Sequence, residues 1–192
     1  ATQDPAAGKA ARLTAKDRLL ETLAVIASKG ESEEAALVID QLVQDLASSD
    51  RGSRFDEATA EGAWSLVFTR KSPHAPRSTR MPKTYAGCTS ADFNTQRGEL
   101  ENGARFLLGA VKVTASAKYA KVEGFPGRVS CDISDSALRL FGYLKVPLRQ
   151  KKDGGWLDFL YLDEDLRITR GDSGGLFMHV RPDKVKELLH LD

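Results

Sequence analysis

The chain predicts a mainly β fold of about eight antiparallel strands, closed as a barrel or stacked as a sandwich, behind two N-terminal helices. Three observations carry this. Short apolar segments, several with period-two alternation, recur between residues 63 and 180. Their connections are mostly turns built from Gly, Asp and Pro, and lack the crossover helices that a parallel sheet requires. Apolar residues at helical spacing gather near the start, within residues 14–47.

The elements follow in order. Residues 1–13 form a polar, Ala-rich lead-in, expected to be mobile. Thr14 and Asp17 open a helix that carries Leu20, Leu23, Ala24 and Ala27 on one side and stops at Gly30. Ser32 then caps a second helix, with Glu33 and Glu34 in its first turn and Ala35, Ile39, Leu42, Val43 and Leu46 as its apolar stripe. These helices and a linker occupy residues 14–61; the β region is 62–181; and 182–192 is a short tail or helix.

Alternation over residues 63–69 places Trp64, Leu66 and Phe68 on one side of the first strand. Further strands are predicted at 105–114, 118–122 and 128–133, where Val129, Cys131 and Ile133 share a face. The longest covers 137–146, with Phe141 and Tyr143 on one face, and Pro147 weakens its end. Three more strands, at 156–161, 166–169 and 176–180, are separated by Asp- and Gly-rich turns.

A formal net charge of +1 over 192 residues gives no reason to expect nucleic acid. No stretch approaches the roughly 18–20 apolar residues that span a bilayer. Cys88 and Cys131 make neither a disulfide framework nor a metal site, and either pair or stay as buried thiols. His74, His179 and His190 have no close ligand spacing, so no metal and no cofactor are predicted.

Gly171-Asp172-Ser173-Gly174-Gly175 resembles the nucleophile sequence of chymotrypsin-like proteases, with His74 and Asp92 as nominal partners. Helices replace much of the first barrel such a protease needs, and little chain follows Ser173 to finish the second. Hydrolysis is therefore a remote alternative, and the chain is predicted not to be an enzyme. The acidic residues around it are interleaved with Arg167, Arg170 and Arg181, a pattern that favours ion pairs and turn bonds.

Aromatic residues within the strands offer more. Trp64, Phe68, Phe106, Phe141, Tyr143 and Phe159 are the candidate lipid-binding residues, on the expectation that some of them line an apolar cavity. A second candidate surface is the basic stretch from residue 70 to 91, where Arg70, Lys71, Arg77, Arg80 and Lys83 stand without an acidic residue and suit anionic headgroups.

The C-terminal third is also specific enough to place the chain beside a family. Gly155-Trp156-Leu157-Asp158, Tyr161-Leu162-Asp163-Glu164-Asp165-Leu166-Arg167-Ile168 and Arg170-Gly171-Asp172 resemble the terminal signature of plastid lipid-associated proteins, the fibrillins. Gly62-Ala63-Trp64-Ser65-Leu66-Val67-Phe68-Thr69 is similar to the family's first strand, with Phe68 at the usual tyrosine. The resemblance marks Trp156, Tyr161, Asp163, Arg167, Arg170, Gly171 and Asp172 as structural signature positions. It implies a lipocalin-like antiparallel barrel of about eight or more strands preceded by two helices. It also implies a plastid location with the transit peptide removed, either soluble or at the edge of plastoglobules or thylakoids. The implied role is non-catalytic binding or organisation of apolar lipids or isoprenoid-type metabolites. The alternative is a structural module in a plastoglobule, thylakoid or plastid protein assembly. Expected partners are thus a hydrophobic small molecule or a lipid surface, with a plastid protein as the partner under the alternative.

Overall fold

The structure is a computed structural model that describes residues 5–70, 89–106, 110–147 and 152–189. Helix α1 (Pro5–Lys29) ends where Gly30 turns to φ 89° and donates its N–H to the Ile26 carbonyl at 2.8 Å. Helix α2 (Glu33–Ala47) starts at Ser32, whose hydroxyl accepts the Ala35 N–H at 3.1 Å. Leu19, Leu23 and Ile26 of α1 meet Ile39, Leu42, Val43 and Leu46 of α2 in one buried layer. A short helix α3 (Glu57–Ala60), capped by Asp56, leads into the first strand.

The described residues contain nine strands: β1 (Gly62–Arg70), β2 (Thr89–Asn94), β3 (Glu99–Phe106), β4 (Val111–Lys121), β5 (Arg128–Leu140), β6 (Leu144–Pro147), β7 (Lys152–Leu162), β8 (Leu166–Gly171) and β9 (Leu176–Val180). All pairings are antiparallel, in the order β4-β3-β2-β1-β9-β8-β7-β5-β6, with a further β4–β5 pairing. A 3-10 turn (Pro182–Lys184) and helix α4 (Val185–Leu189) follow.

A mainly β protein with two leading helices is what the structure holds, but the lipocalin-like barrel expected from the sequence is corrected. The β4–β5 pairing joins the strands into a ring without making that barrel, because the sheet forks at β5. The early part of β5 pairs with β7, its end pairs with β6, and its opposite edge pairs with β4. Strand β6 is left as an edge outside the ring, and Pro147 at its end fits an edge strand.

Of the four register shifts in the described strands, two decide how the aromatic residues of β1 and β7 face. One lies in β1 between Leu66 and Phe68, the other in β7 between Phe159 and Tyr161. Each adds a residue and reverses the alternation beyond it. Trp64 and Leu66 therefore face inward, whereas Val67 and Phe68 both join the layer beneath the helices. Likewise Phe159 faces inward and Tyr161 outward, toward α1 and α2. The outer layer is completed by Leu166 and Ile168 of β8 and Leu176, Met178 and Val180 of β9.

The expected strand over residues 137–146 is a hairpin instead. Phe141 at φ 51° and Gly142 at φ 81° are the left-handed central pair of a turn closed by the Tyr143 N–H on the Leu140 carbonyl at 3.3 Å, within the three-residue connection 141–143 between β5 and β6. Glycine accepts that geometry readily. Phe141 in it is the local exception.

Candidate functional site: a half-filled ring

The inside of the strand ring has two different halves. At one end it is solid. Phe55, Phe93, Tyr119 and Phe159 meet with ring centroids 4.7 to 6.2 Å apart, mostly edge-on or tilted. Phe55 arrives from the loop before α3 as a plug, its N–H bonded to the Pro126 carbonyl at 2.9 Å. Gly127 permits this approach, since a Cβ there would lie 2.6 Å from the Ser53 carbonyl oxygen.

Trp64 lies beside this cluster, fully buried, with its indole N–H donated to the Ala60 carbonyl at 2.9 Å. Arg181 stacks on Trp64 at 3.8 Å and donates to the Thr59, Glu61 and Glu164 carbonyls at 2.7, 2.9 and 3.0 Å. One guanidinium thereby fastens α3, β1 and the β7–β8 turn together.

The other half is open. A cavity of about 390 Å3 is lined by Leu66, Ala104, Ala115, Ala117, Ile133 and Phe177, among others. That volume falls in the range of about 300–1,000 Å3 usual for small-molecule sites. Small side chains at Ala104, Ala115, Ala117, Gly155 and Thr169 make the room; the aromatic residues mostly fill the opposite end.

Most of the wall is apolar, and Thr89, Ser90, Asn102, Arg167, Thr169, Asp172 and His179 supply its polar side chains. Arg167 of β8 and His179 of β9 are register partners, both facing inward, 2% and 7% exposed. Burial, with Arg181 nearby, pushes the Arg167 guanidinium down to about 9, still charged at neutral pH. Burial and the Arg167 charge push His179 well below the usual imidazole range, so it is neutral. Cys131 also lines the cavity; burial, then Asp132 and Asp172, push its thiol up to about 11. A thiol held in that form is a poor nucleophile.

The candidate lipid-binding residues do not converge. Trp64 and Phe159 belong to the solid half. Phe68 lies beneath the helices. Phe106 ends β3, where only its backbone is described. Phe141 and Tyr143 stand on the β5–β6 hairpin, 68% and 84% exposed, with their rings stacked 6.4 Å apart. Of the basic stretch, Lys71, Arg77, Arg80 and Lys83 lie outside the described residues, as do His74 and Cys88. Arg70 is turned toward the helices and ion-paired with Glu31 and Asp40.

Several signature positions form one structural hub. Asp163 is 4% exposed and accepts from Lys16 Nζ at 2.8 Å, Tyr161 OH at 2.8 Å, and the Asp165 and Leu166 N–H groups at 2.8 and 2.7 Å. Trp156 lies under the Arg128 guanidinium at 4.1 Å, and Arg128 makes a two-pronged bond to Asp158 at 2.6 and 2.8 Å. Arg170 is exposed, and Gly171 closes the β8–β9 hairpin with its N–H on the Gly175 carbonyl at 2.9 Å. Asp172 lines the cavity and donates its backbone N–H to the Trp156 carbonyl at 3.1 Å. Ser173, the nominal nucleophile, is exposed in that turn, and Asp92 is exposed on β2.

The sequence reading missed the small-residue wall and the cavity roles of Arg167 and His179. A usable signal was present in the alternation of Val113, Ala115 and Ala117 along β4, where three modest apolar residues share one face. Among the described residues no group of three or more His, Cys, Asp or Glu could hold a metal ion, and no helix is long and apolar enough to cross a membrane.

Comparison with known proteins agrees with the C-terminal signature. Residues 132–180 match the PAP_fibrillin family model. Plastoglobulin-1, chloroplastic, of Pisum sativum is 53% identical over 38 residues, covering 20% of this chain and 10% of that protein. The match thus spans about a tenth of the relative's length. No solved structure matches. The fibrillin-family recognition made from the sequence is borne out by the family model and by this relative.

Proposed function

We propose that this fibrillin-like chain is a non-catalytic lipid-binding protein of plastids, which holds one chain-like apolar molecule in the open half of its strand ring. The cavity of about 390 Å3 carries the reading. Each methylene moved from water onto its walls gains about 0.8 kcal/mol, so a single acyl or prenyl chain suits it better than a wide headgroup. Cys131 supports a binding role over a catalytic one, since its thiol is held protonated. The plastoglobulin name of the pea relative supports a plastoglobule or thylakoid surface as the place of work.

Titration of the purified chain with a fluorescent apolar-chain probe is expected to saturate at one probe per protein. Displacement by unlabelled chain lipids should restore the starting signal. Linear, unsaturable uptake would reject the cavity as a site.

A surface role in addition is favoured by the β5–β6 hairpin. Phe141, Tyr143, Leu144 and Val146 are all exposed there, an apolar tip beside Arg139 and Lys145. Aromatic residues of this kind settle at the boundary between headgroups and acyl chains. The pair of substitutions Phe141→Ser and Tyr143→Ser is expected to weaken flotation with galactolipid vesicles about tenfold, an effect of roughly 1.4 kcal/mol. Probe binding in the cavity should be unchanged. Equal flotation of variant and parent would remove the hairpin from the account and leave the cavity reading standing.

A further inference from the structure

Arg167 is the exception within this interior. It is almost wholly buried, yet its Nε and Nη1 have no hydrogen-bond partner, and neither does Nδ1 of the adjoining His179. Among the described residues no carboxylate forms an ion pair with it, although Asp172 lines the same cavity. The charged group that bears on it is Arg181, of its own sign. Its guanidinium lies over Trp64 at 5.3 Å and over Phe93 at 4.9 Å, so the two aromatic rings hold it in place. Such stacking returns about 2 kcal/mol when desolvated, less than the several kcal/mol that burying an unpaired charge costs.

The position of this charge matters as much as its isolation. Arg167 lies where the solid half ends and the cavity begins, because the rings beneath it belong to the filled cluster while its own side chain lines the open space. Beyond it the walls continue as Leu66, Ala115, Ala104 and Val113. The floor of this site carries a cation without an ion-pair partner among the described residues, and its walls are mainly apolar, with Thr89, Ser90, Asn102 and the carboxylate of Asp172 among them; that arrangement matches a molecule with one anion at its end and an apolar chain behind.

We propose that the cavity takes a long-chain carboxylate, its head accepting hydrogen bonds from Arg167 Nε and Nη1 beside His179 Nδ1, and its chain lying along Leu66, Ala115, Ala104 and Val113. The proposal rests on the apolar-ligand reading above and specifies the ligand's head. A carboxylate carries one negative charge against one guanidinium, and its planar pair of oxygens fits the guanidinium fork. A phosphate dianion would leave a charge uncompensated next to a neutral imidazole. Walls alone do not settle affinity. Roughly ten buried methylenes gain on the order of 8 kcal/mol, within the 4–15 kcal/mol or so that association costs. The charged contact therefore decides whether binding is tight.

The test compares oleate, its methyl ester and the matching alcohol as competitors for the fluorescent probe on the full chain. Oleate is expected to displace the probe at least tenfold more strongly than either neutral analogue. In Arg167→Met that preference should fall to less than about twofold while the ester still competes, and Arg167→Lys should keep part of it. The unliganded Arg167→Met protein should also melt at or above the parent temperature, because removing an unpaired buried charge relieves the fold. A purely structural clamp between Trp64 and Phe93 would instead lower melting and leave the preference intact.

Oleate labelled with 13C at the carboxyl gives a readout on the unsubstituted protein. Its bound carboxyl should stay ionised to lower pH than in water. Equal competition by acid, ester and alcohol overturns the carboxylate proposal and leaves the apolar cavity standing. No competition by any of the three overturns both.

Discussion

Replacing Asp163 by alanine is expected to destabilise the protein by about 3–5 kcal/mol, the cost of leaving a buried ion-pair partner uncompensated. Four groups converge on this carboxylate: the ammonium of Lys16 from α1, the phenol of Tyr161, and the N–H groups of Asp165 and Leu166. Loss of the side chain opens the β7–β8 turn and unfastens the helix layer from the sheet at once. For a domain of this size the melting temperature should fall on the order of 10 °C, at about 2–4 °C per kcal/mol. Tyr161→Phe removes one of the four bonds and should cost only about 1 kcal/mol. A fall in the Asp163→Ala variant no larger than that of Tyr161→Phe would show that Asp163 is not the hub.

The same residue makes the stability depend on pH in a defined direction. Burial alone would raise the Asp163 carboxyl, but the Lys16 hydrogen bond, the Leu166 N–H and the Lys16 charge together hold it below the usual carboxylate range. A carboxyl depressed in the folded state contributes its full stability above its unfolded pKa. That contribution drains away as the pH falls toward the folded value. Melting temperature in the parent should thus drop below about pH 4, and Asp163→Asn should flatten part of that drop. An Asn variant with an unchanged acid limb would assign the drop to other carboxylates.

Ala115→Phe is expected to abolish probe binding, or weaken it at least tenfold, while the protein remains folded. Ala115 is on β4, facing the open half of the ring between Val113 and Ala117. A benzyl group there would occupy the space needed by the ligand chain. Because the cavity is empty of side chains, the added ring gains contacts and should leave melting unchanged or slightly higher without ligand. Thr114→Phe, on the opposite face of the same strand, is the control and should bind as the parent does. Equal loss in both variants would point to a general effect on the strand, and equal retention would place the ligand elsewhere.

Much of the β architecture was legible in the residues. Alternation at Val129, Cys131 and Ile133 and the turn residues around Gly171 have direct counterparts in β5 and the β8–β9 hairpin. Ser32, Gly30 and the apolar stripe of α2 likewise marked the helices. Less was legible about which way side chains point. A period-two count through β1 puts Phe68 with Trp64, and a bulge the count cannot see sends it to the helices. The run 137–146 has strand character on both sides of Phe141-Gly142, so only the positive φ of both residues separates one long strand from two paired ones.

The site was the least legible part, for a physical reason. Aromatic residues advertise a binding pocket but are also the best fillers of a small β interior, and here Trp64, Phe93, Tyr119 and Phe159 fill. Room for a ligand comes from alanines and glycines, which carry no chemical signal of their own. Arg167 lies within a pattern of alternating charges, and its pairing with an acidic neighbour was the natural expectation. Only the fold reveals that Arg167 faces inward from β8, as Thr169 does, between Leu166 and Ile168, which face the helices.

Central to the account is that the open half of the ring holds a lipid. Gently purified protein, extracted with organic solvent beside an unrelated β protein and analysed by mass spectrometry, tests this most directly. One class of single-chain lipid is expected in near-equimolar amount with the parent, and none of it with Ala115→Phe. An extract indistinguishable from the control, or the same lipids recovered from Ala115→Phe, would contradict it.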